Sequence, residues 1–452
     1  MSVSIPRTAV RWAAQHGIAR VLVARGLRRG EPQAQLIGDP AVRLDPYPVH
    51  AAVRARGPLV PAMFGQLSAT HAVVGHVLRS SDFGVLRDGS DLPAWLRSTL
   101  RWSGEGAPSH PMEPPSLLAV DPPEHTRYRR LVSSVFTARA IAGLRDQVQA
   151  VADRLLDELV ARDEPVVDLV EHYAARLPLV VIADILDIPA DEHDRVLELG
   201  GRTAASLDLG IGFRGYHDSQ RALAQFDELI DRHLTRLRAE PGDDLLSRLV
   251  TASDGGEQLT QRELRSLAGL LLAAGFETTV NLLGSGTRLL LEHPDQLAVL
   301  RADESLWPNA VEELLRLESP AQVTSRTALR DTEVAGVPVP RHTRVVCFLG
   351  GANRDPDAFE RPDEVDVRRP NAAEHLAFSA GRHFCLGAAL ARLEGEIGLR
   401  SLLTRFPDLA LAPGAVRRPT RVLRGWAALP VRLGSTRPAS SSPSGTAPPG
   451  TS

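Results

Sequence analysis

The chain of 452 residues contains no lysine, so arginine supplies all of its positive charge. Acids nearly balance it, and a net charge of -3 argues against a general nucleic-acid binder. Only two cysteines occur, Cys347 and Cys385. That count excludes a disulfide framework and points to a reducing, cytoplasmic setting. With no second thiol near Cys385, a zinc site of about four ligands is also excluded. No uninterrupted run of about 18 apolar residues is present, so nothing is expected to span a membrane. No apolar core follows the first basic residues, so no signal peptide is expected. The length exceeds a single ordinary core, which leaves two domains or one large domain filled by a cofactor.

The most informative stretch is Phe378-Ser379-Ala380-Gly381-Arg382-His383-Phe384-Cys385-Leu386-Gly387, followed by the helix former Ala388-Ala389-Leu390-Ala391-Arg392-Leu393-Glu394. Cys385 falls at a helix N-terminus, where the helix dipole favours a thiolate over a thiol. Gly381 and Gly387 flank it and permit backbone conformations that other residues resist. Backbone N–H groups of such a loop can point at the sulfur and tune a metal–thiolate bond. A single anionic sulfur in an apolar loop suits a haem iron.

This stretch resembles the haem-binding signature of the cytochrome P450 family, F-x-x-G-x-H-x-C-x-G, and every fixed position is present. The resemblance implies that Cys385 is the proximal iron ligand of haem b. It also implies that Phe378, Gly381, His383 and Gly387 help to bind that cofactor. The fold implied is mainly α with smaller β elements, with a long central helix over the haem.

Three further segments carry the same resemblance. In Asp121-Pro122-Pro123-Glu124-His125-Thr126-Arg127-Tyr128-Arg129-Arg130 the prolines start a helix, and His125 and Arg129 share a face four residues apart. This is similar to the family's H-x-x-x-R element, which holds the haem propionates. Thr260 and Glu263 form a capping box that opens the longest helix, running to about Glu292, where His293-Pro294 stops it. Inside it lies Ala274-Gly275-Phe276-Glu277-Thr278-Thr279. Its small residues admit something flat, and the Thr278 hydroxyl can bond a carbonyl one turn back and open the helix. This resembles the A-G-x-[DE]-T-T motif. By that resemblance Ala274 and Gly275 border the cofactor, Thr278 hydrogen-bonds the oxygen to be activated, and Glu277 relays protons. Glu313 and Arg316 match the structural E-x-x-R, and Arg326 resembles a further propionate anchor, with Val323 lining the pocket. One departure stands out. The family's P-x-R-F segment carries an arginine where this chain has Pro362-Asp363-Glu364-Val365. Arg361, Arg368 or Arg369 must then complete the cluster with Glu313 and Arg316.

The remaining segments read as follows. Residues 1–34 form a basic amphipathic extension, with six arginines and no acid in the first thirty. A membrane-surface helix or transit peptide shares that pattern, and an ordinary helix packed on the body is the favoured reading. Residues 39–83 form a small β region with connecting helices. Residues 84–120 are a long irregular loop expected to act as a lid, with Trp95 and Leu96 as substrate contacts alongside Leu270 and Val323. Amphipathic helices are expected at 138–162, 168–187, 191–206 and 217–239. Gly210-Ile211-Gly212-Phe213-Arg214-Gly215 spells a dinucleotide loop, but no strand precedes it, so it reads as a flexible loop over the pocket. Cys347 reads as core. Thr420 to Leu433 give a last strand pair, with Trp426 near a pocket turn. The monooxygenase domain is expected over 35–434, and residues 435–452, rich in Ser and Pro, form a disordered tail.

The resemblance implies a haem-thiolate monooxygenase that hydroxylates or epoxidises an apolar small molecule: a secondary metabolite, or a lipid or steroid-like compound. No flavin or iron–sulfur segment is evident, so electrons are expected from a ferredoxin and its reductase, with Arg127, Arg130 and Arg382 as candidates for the landing face. Three alternatives stay open: a peroxygenase or oxidative coupling enzyme on the same cofactor, a non-catalytic haem-fold helper, and a helical lipid-binding scaffold.

Overall fold

The computed structural model describes residues 5–85, 94–133, 136–242, 244–251, 253–254 and 257–437. We number the elements that carry the argument. The helices are α1 (Ile5–Trp12), α2 (Ile18–Leu27), α3 (Ala94–Gly104), α4 (Glu124–Ser133), α5 (Arg145–Ala161), α6 (Arg176–Ile185), α7 (His193–Ala204), α8 (Phe213–Ala239), α9 (Gln261–Glu292), α10 (Trp307–Leu317) and α11 (Ala388–Arg405). The principal strands are β1 (Val60–Ala62), β2 (Gly65–Ser68), β3 (Phe83–Gly84), β4 (Val323–Ala328) and β5 (Arg344–Phe348), in the order β1-β2-β5-β4-β3. β5 pairs parallel with β2 and antiparallel with β4, which sets Val345 opposite Arg326. Cys347 is buried on β5, as plain core.

α9 organises the helical layer. Its capping box forms as expected, with the Thr260 side chain accepting from the Glu263 N–H and the Glu263 carboxylate accepting from the Thr260 N–H. The helix is apolar on most sides because it is surrounded: α6 and α11 pack along it, and Leu267, Leu272, Phe276, Val280 and Leu283 are all buried. Among the described residues it alone is long and apolar enough to cross a membrane, and 67% of that stretch is buried inside the protein. That is the signature of a core helix.

Several expectations need correction. The expected helix over 138–162 is broken near Gly143, and that over 168–187 begins as a strand and a π-helical turn. The expected lid loop contains α3. Trp95 sits on the outer face of that helix with 69% of its surface exposed, and the side chain of Leu96 lies outside the described residues. Trp426 does not line the cavity described below; it is buried between the guanidinium groups of Arg288 and Arg417, 4.4 and 3.7 Å from its ring. The Gly210–Gly215 loop follows a 3-10 turn, and Gly210 has φ +77°, an ordinary interhelical turn. It is not a free flap, because Trp12 Nε1 donates to Ile211 O at 2.9 Å. The N-terminal helices pack on the body. Residues 438–452, most of the expected tail, lie outside the described residues.

The missing arginine of the P-x-R-F segment is replaced by Arg369. Its Nε lies 3.0 Å from Glu313 Oε2, while Arg316 donates to both Glu313 oxygens at 2.7 and 2.8 Å. Glu364 contributes only its carbonyl to this cluster, accepting from Arg316 at 3.2 Å, and turns its side chain outward to Arg361. Arg316 further donates to the carbonyls of Asn353 and Pro362. Glu313 and Arg316 are wholly buried, so the carboxylate is the only charge that neutralises two guanidinium groups there. Replacing Glu313 by Gln strands both. The expected cost is about 3–5 kcal/mol, read as a fall in the chemical-denaturation midpoint, whereas Glu364→Ala leaves that midpoint close to wild type.

Candidate active site

A cavity of about 750 Å³ lies between α9 and the loop leading into α11. Cys385, Phe378, His383 and Gly387 form its floor; Leu270, Ala274, Gly275, Glu277 and Thr278 form its roof; His125, Arg129, Val323 and Arg326 stand at its edges. Most of the site residues read from the sequence therefore meet in one space. Three do not. Trp95 is on the outer surface, Leu96 is not described, and Gly381 stands behind the floor.

Gly381 has a shaping role. Its φ is +69°, and a Cβ there would lie 2.3 Å from Leu78 O. Gly387 corrects an expectation: its φ of -84° is open to any residue. What it provides is room, since nothing lies within 4 Å of where its Cβ would be. The floor loop is further held by the Cys385 N–H, which donates to Phe378 O at 2.9 Å, and by Arg129, which donates to Phe384 O at 2.7 Å.

The electrostatics of Cys385 also differ from expectation. Burial pushes its thiol up, outweighing the Gly387 N–H that points at the sulfur and the guanidinium groups of Arg129 and Arg392. The sulfur opens onto the cavity, and a cation facing it there would favour the thiolate.

Around the rim, buried basic groups outnumber the one buried acid among them, Asp121. Arg326 is 5% exposed and donates to two neutral oxygens, Thr324 Oγ1 and Ser325 O. The His125 ring lies 4.4 Å from that of His383, tilted by 59°, and is held neutral, pushed down to about 4 by burial first and then by His383 and Arg129. His125 Nε2 has no hydrogen-bond partner, and His383 Nε2 stands 3.9 Å from Asp121 Oδ1. Donors buried in this way call for an anion.

On the roof, the Thr278 hydroxyl donates to Ala274 O at 3.3 Å, one turn back as expected, and α9 continues unbroken through it. Glu277 is buried and paired with Arg418. Burial raises its carboxyl and Arg418 pulls it back. It also borders a second, open cleft of about 380 Å³ with Glu171, Arg176, Asp194 and Arg418. Sequence reasoning missed Arg418, which lies 141 positions away and carries no local signal. It also missed Glu394 as a site neighbour. That residue is wholly buried beside Thr279, its carboxyl raised well above the usual range by burial. An acid amid Leu390, Leu393 and Ile397 was the available clue.

The residues present fit a haem: one sulfur facing an apolar slot, small roof residues, a glycine with open space before it, and buried donors suited to carboxylates. Among the described residues no group of three or more His, Cys, Asp or Glu side chains is arranged as a metal cage.

Comparison with known proteins agrees. The Cytochrome P450 family model matches residues 212–420. A Mycobacterium tuberculosis protein provisionally named cytochrome P450 140 is 52% identical over 94% of this chain and 98% of its own length. The vitamin D(3) 25-hydroxylase of Pseudonocardia autotrophica is 37% identical over 86% of this chain and 94% of its own. Among solved structures, Mycobacterium smegmatis CYP164A2 in the ligand-free state superposes with a TM-score of 0.79 at 33% identity, covering 89% of this chain and 99% of that one. Likeness of that extent settles the matter of kinship: the chain belongs to the cytochrome P450 family of haem b monooxygenases.

Proposed function

We propose that the protein hydroxylates or epoxidises an apolar small molecule, a secondary metabolite or a lipid or steroid-like compound, in the cytoplasm, with electrons from a ferredoxin and its reductase. The observation that carries this reading is the exposure of Cys385 to the floor of a large apolar cavity, directly across from Thr278 and Glu277. The relative named a vitamin D(3) 25-hydroxylase supports an apolar substrate of some size.

The haem, when bound, supplies reductive activation of dioxygen and transfer of one oxygen atom to carbon, with thiolate donation favouring O–O cleavage. Everything else falls to the chain. Cys385 would hold the iron, with the Gly387 N–H directed at its sulfur. His125, Arg129, Arg326 and His383 would hold the cofactor's carboxylates. Thr278 holds its proton loosely, through a long bond to Ala274 O, and can redirect it into the cavity. Glu277 moves protons. It faces both the cavity and the open cleft, and release from Arg418 lets it turn between them. Leu270 and Val323 contact substrate.

For electron delivery, Arg130 and Arg382 remain candidates for an acidic partner's landing face. Arg127 is a weaker one, since it is bonded to Glu263 Oε1 at 2.9 Å.

Reduced protein under carbon monoxide should absorb near the position typical of thiolate-ligated haem, and Cys385→Ser should lose that band. A wild-type band at the imidazole-ligated position would sink the assignment. Glu277→Gln should keep the band but lower product formation about a hundredfold, the scale of a lost proton carrier. Turnover at the wild-type rate would remove Glu277 from the mechanism.

A further inference from the structure

The N-terminal segment touches two loops at the cavity, one that lines it and one whose flanking residues do. The first loop, residues 109–114, lines the cavity directly. The second, residues 208–216, joins α7 to α8, whose Ala204 and Leu223 also line it. Arg11, on α1 and 7% exposed, pairs with Glu113 of the first loop. Gln15 spans the two: its Nε2 donates to Glu113 Oε1 at 3.2 Å, and its Oε1 accepts from the hydroxyl of Tyr216 at 3.3 Å. Three further bonds secure the second loop. Trp12 Nε1 donates to Ile211 O at 2.9 Å, the Gly210 N–H donates to His16 Nδ1 at 3.1 Å, and Arg20 donates to Gly210 O at 3.0 Å. The rings of His16 and Tyr216 lie 5.0 Å apart. His16 is held neutral, its pKa pushed down to about 4 by burial, so it remains an acceptor at ordinary pH. Burial alone would raise Glu113, but Arg11 outweighs it and keeps the carboxylate ionised.

A charge-assisted bond is among the stronger contacts available to a loop, and this half-buried one lies between the cavity wall and a segment outside the cavity. We infer that Arg11 and Gln15 are positioning residues for substrate: they clasp the two covering loops together, and so set the shape of that wall and the rate at which it opens. This rests on the reading of the cavity as the substrate chamber.

The test uses full-length haem-loaded protein: wild type, Arg11→Ala, Gln15→Ala, Arg11→Lys and, as an exposed control on α2, Arg25→Ala. Two quantities are measured. One is the association and dissociation rate of 4-phenylimidazole, followed through the Soret band. The other is backbone hydrogen exchange over 109–114 and 208–216. Arg11→Ala and Gln15→Ala should raise both rates about tenfold, the scale of one charge-assisted or bridging hydrogen bond, with the carbon monoxide spectrum unchanged. Arg11→Lys should return toward wild type, and Arg25→Ala should match it. Exchange in Arg11→Ala should rise in the second loop as well as in the first, which Arg11 bonds. Rates unchanged in both alanine variants, or faster exchange confined to the first loop, would overturn the clasp. A preparation without a Soret band counts against the haem reading instead, and hydrogen exchange still decides the clasp.

Discussion

The sulfur of Cys385 is under opposing demands. It must be dry enough to face an apolar chamber, and dryness raises its pKa. It must also be anionic to donate to a metal. The Gly387 N–H and the charges of Arg129 and Arg392 recover part of the cost, but not all. A cation held opposite would add to them. Much of the surrounding architecture follows from keeping that place open. Gly387 leaves space above the loop, Gly381 turns the chain tightly under Leu78, and Ala274 and Gly275 keep the roof thin.

The same logic of deferred pairing governs the rim. Arg326 donates only to neutral oxygens, His125 Nε2 has no hydrogen-bond partner, and the one acid beside this group is Asp121, 3.9 Å from His383. A folded chain tolerates such groups when a ligand completes them, because unpaired buried donors are costly. Glu313, Arg316 and Arg369 show the opposite solution, a carboxylate and two guanidinium groups that satisfy one another and the carbonyls around them. One set of buried charges is complete and braces the fold; the other is incomplete and waits for a ligand.

Glu277 stands between these cases. Its partner, Arg418, comes from the C-terminal hairpin region, and both residues border the open cleft. A buried acid whose counter-charge lies on another element is held, not locked. On the far side, the covering loops are tied to the N-terminal helices by single side chains such as Gln15, so chamber shape depends on a segment that contributes nothing to its lining.

What was legible in the sequence was whatever short-range spacing controls. The cysteine loop, the capping box at Thr260, the helix that follows and the shared face of His125 and Arg129 are local properties of consecutive residues, and α9 and α4 formed where that spacing placed them. The choice among Arg361, Arg368 and Arg369 was beyond it, as were the Arg418 partner of Glu277 and the Arg11 partner of Glu113, because such pairs join residues 56, 141 and 102 positions apart. Which side of α3 Trp95 would take was equally hidden, since an indole suits a cavity wall or an outer face. The burial that pushes the Cys385 thiol up was hidden for a related reason: the helix N-terminus is visible in the sequence, whereas desolvation is set by everything packed around it. Sequence alone determined which chemistry is present and on which local element; only the tertiary structure decided which charges meet and how dry they are, because Coulomb attraction and burial act through space and not along the chain.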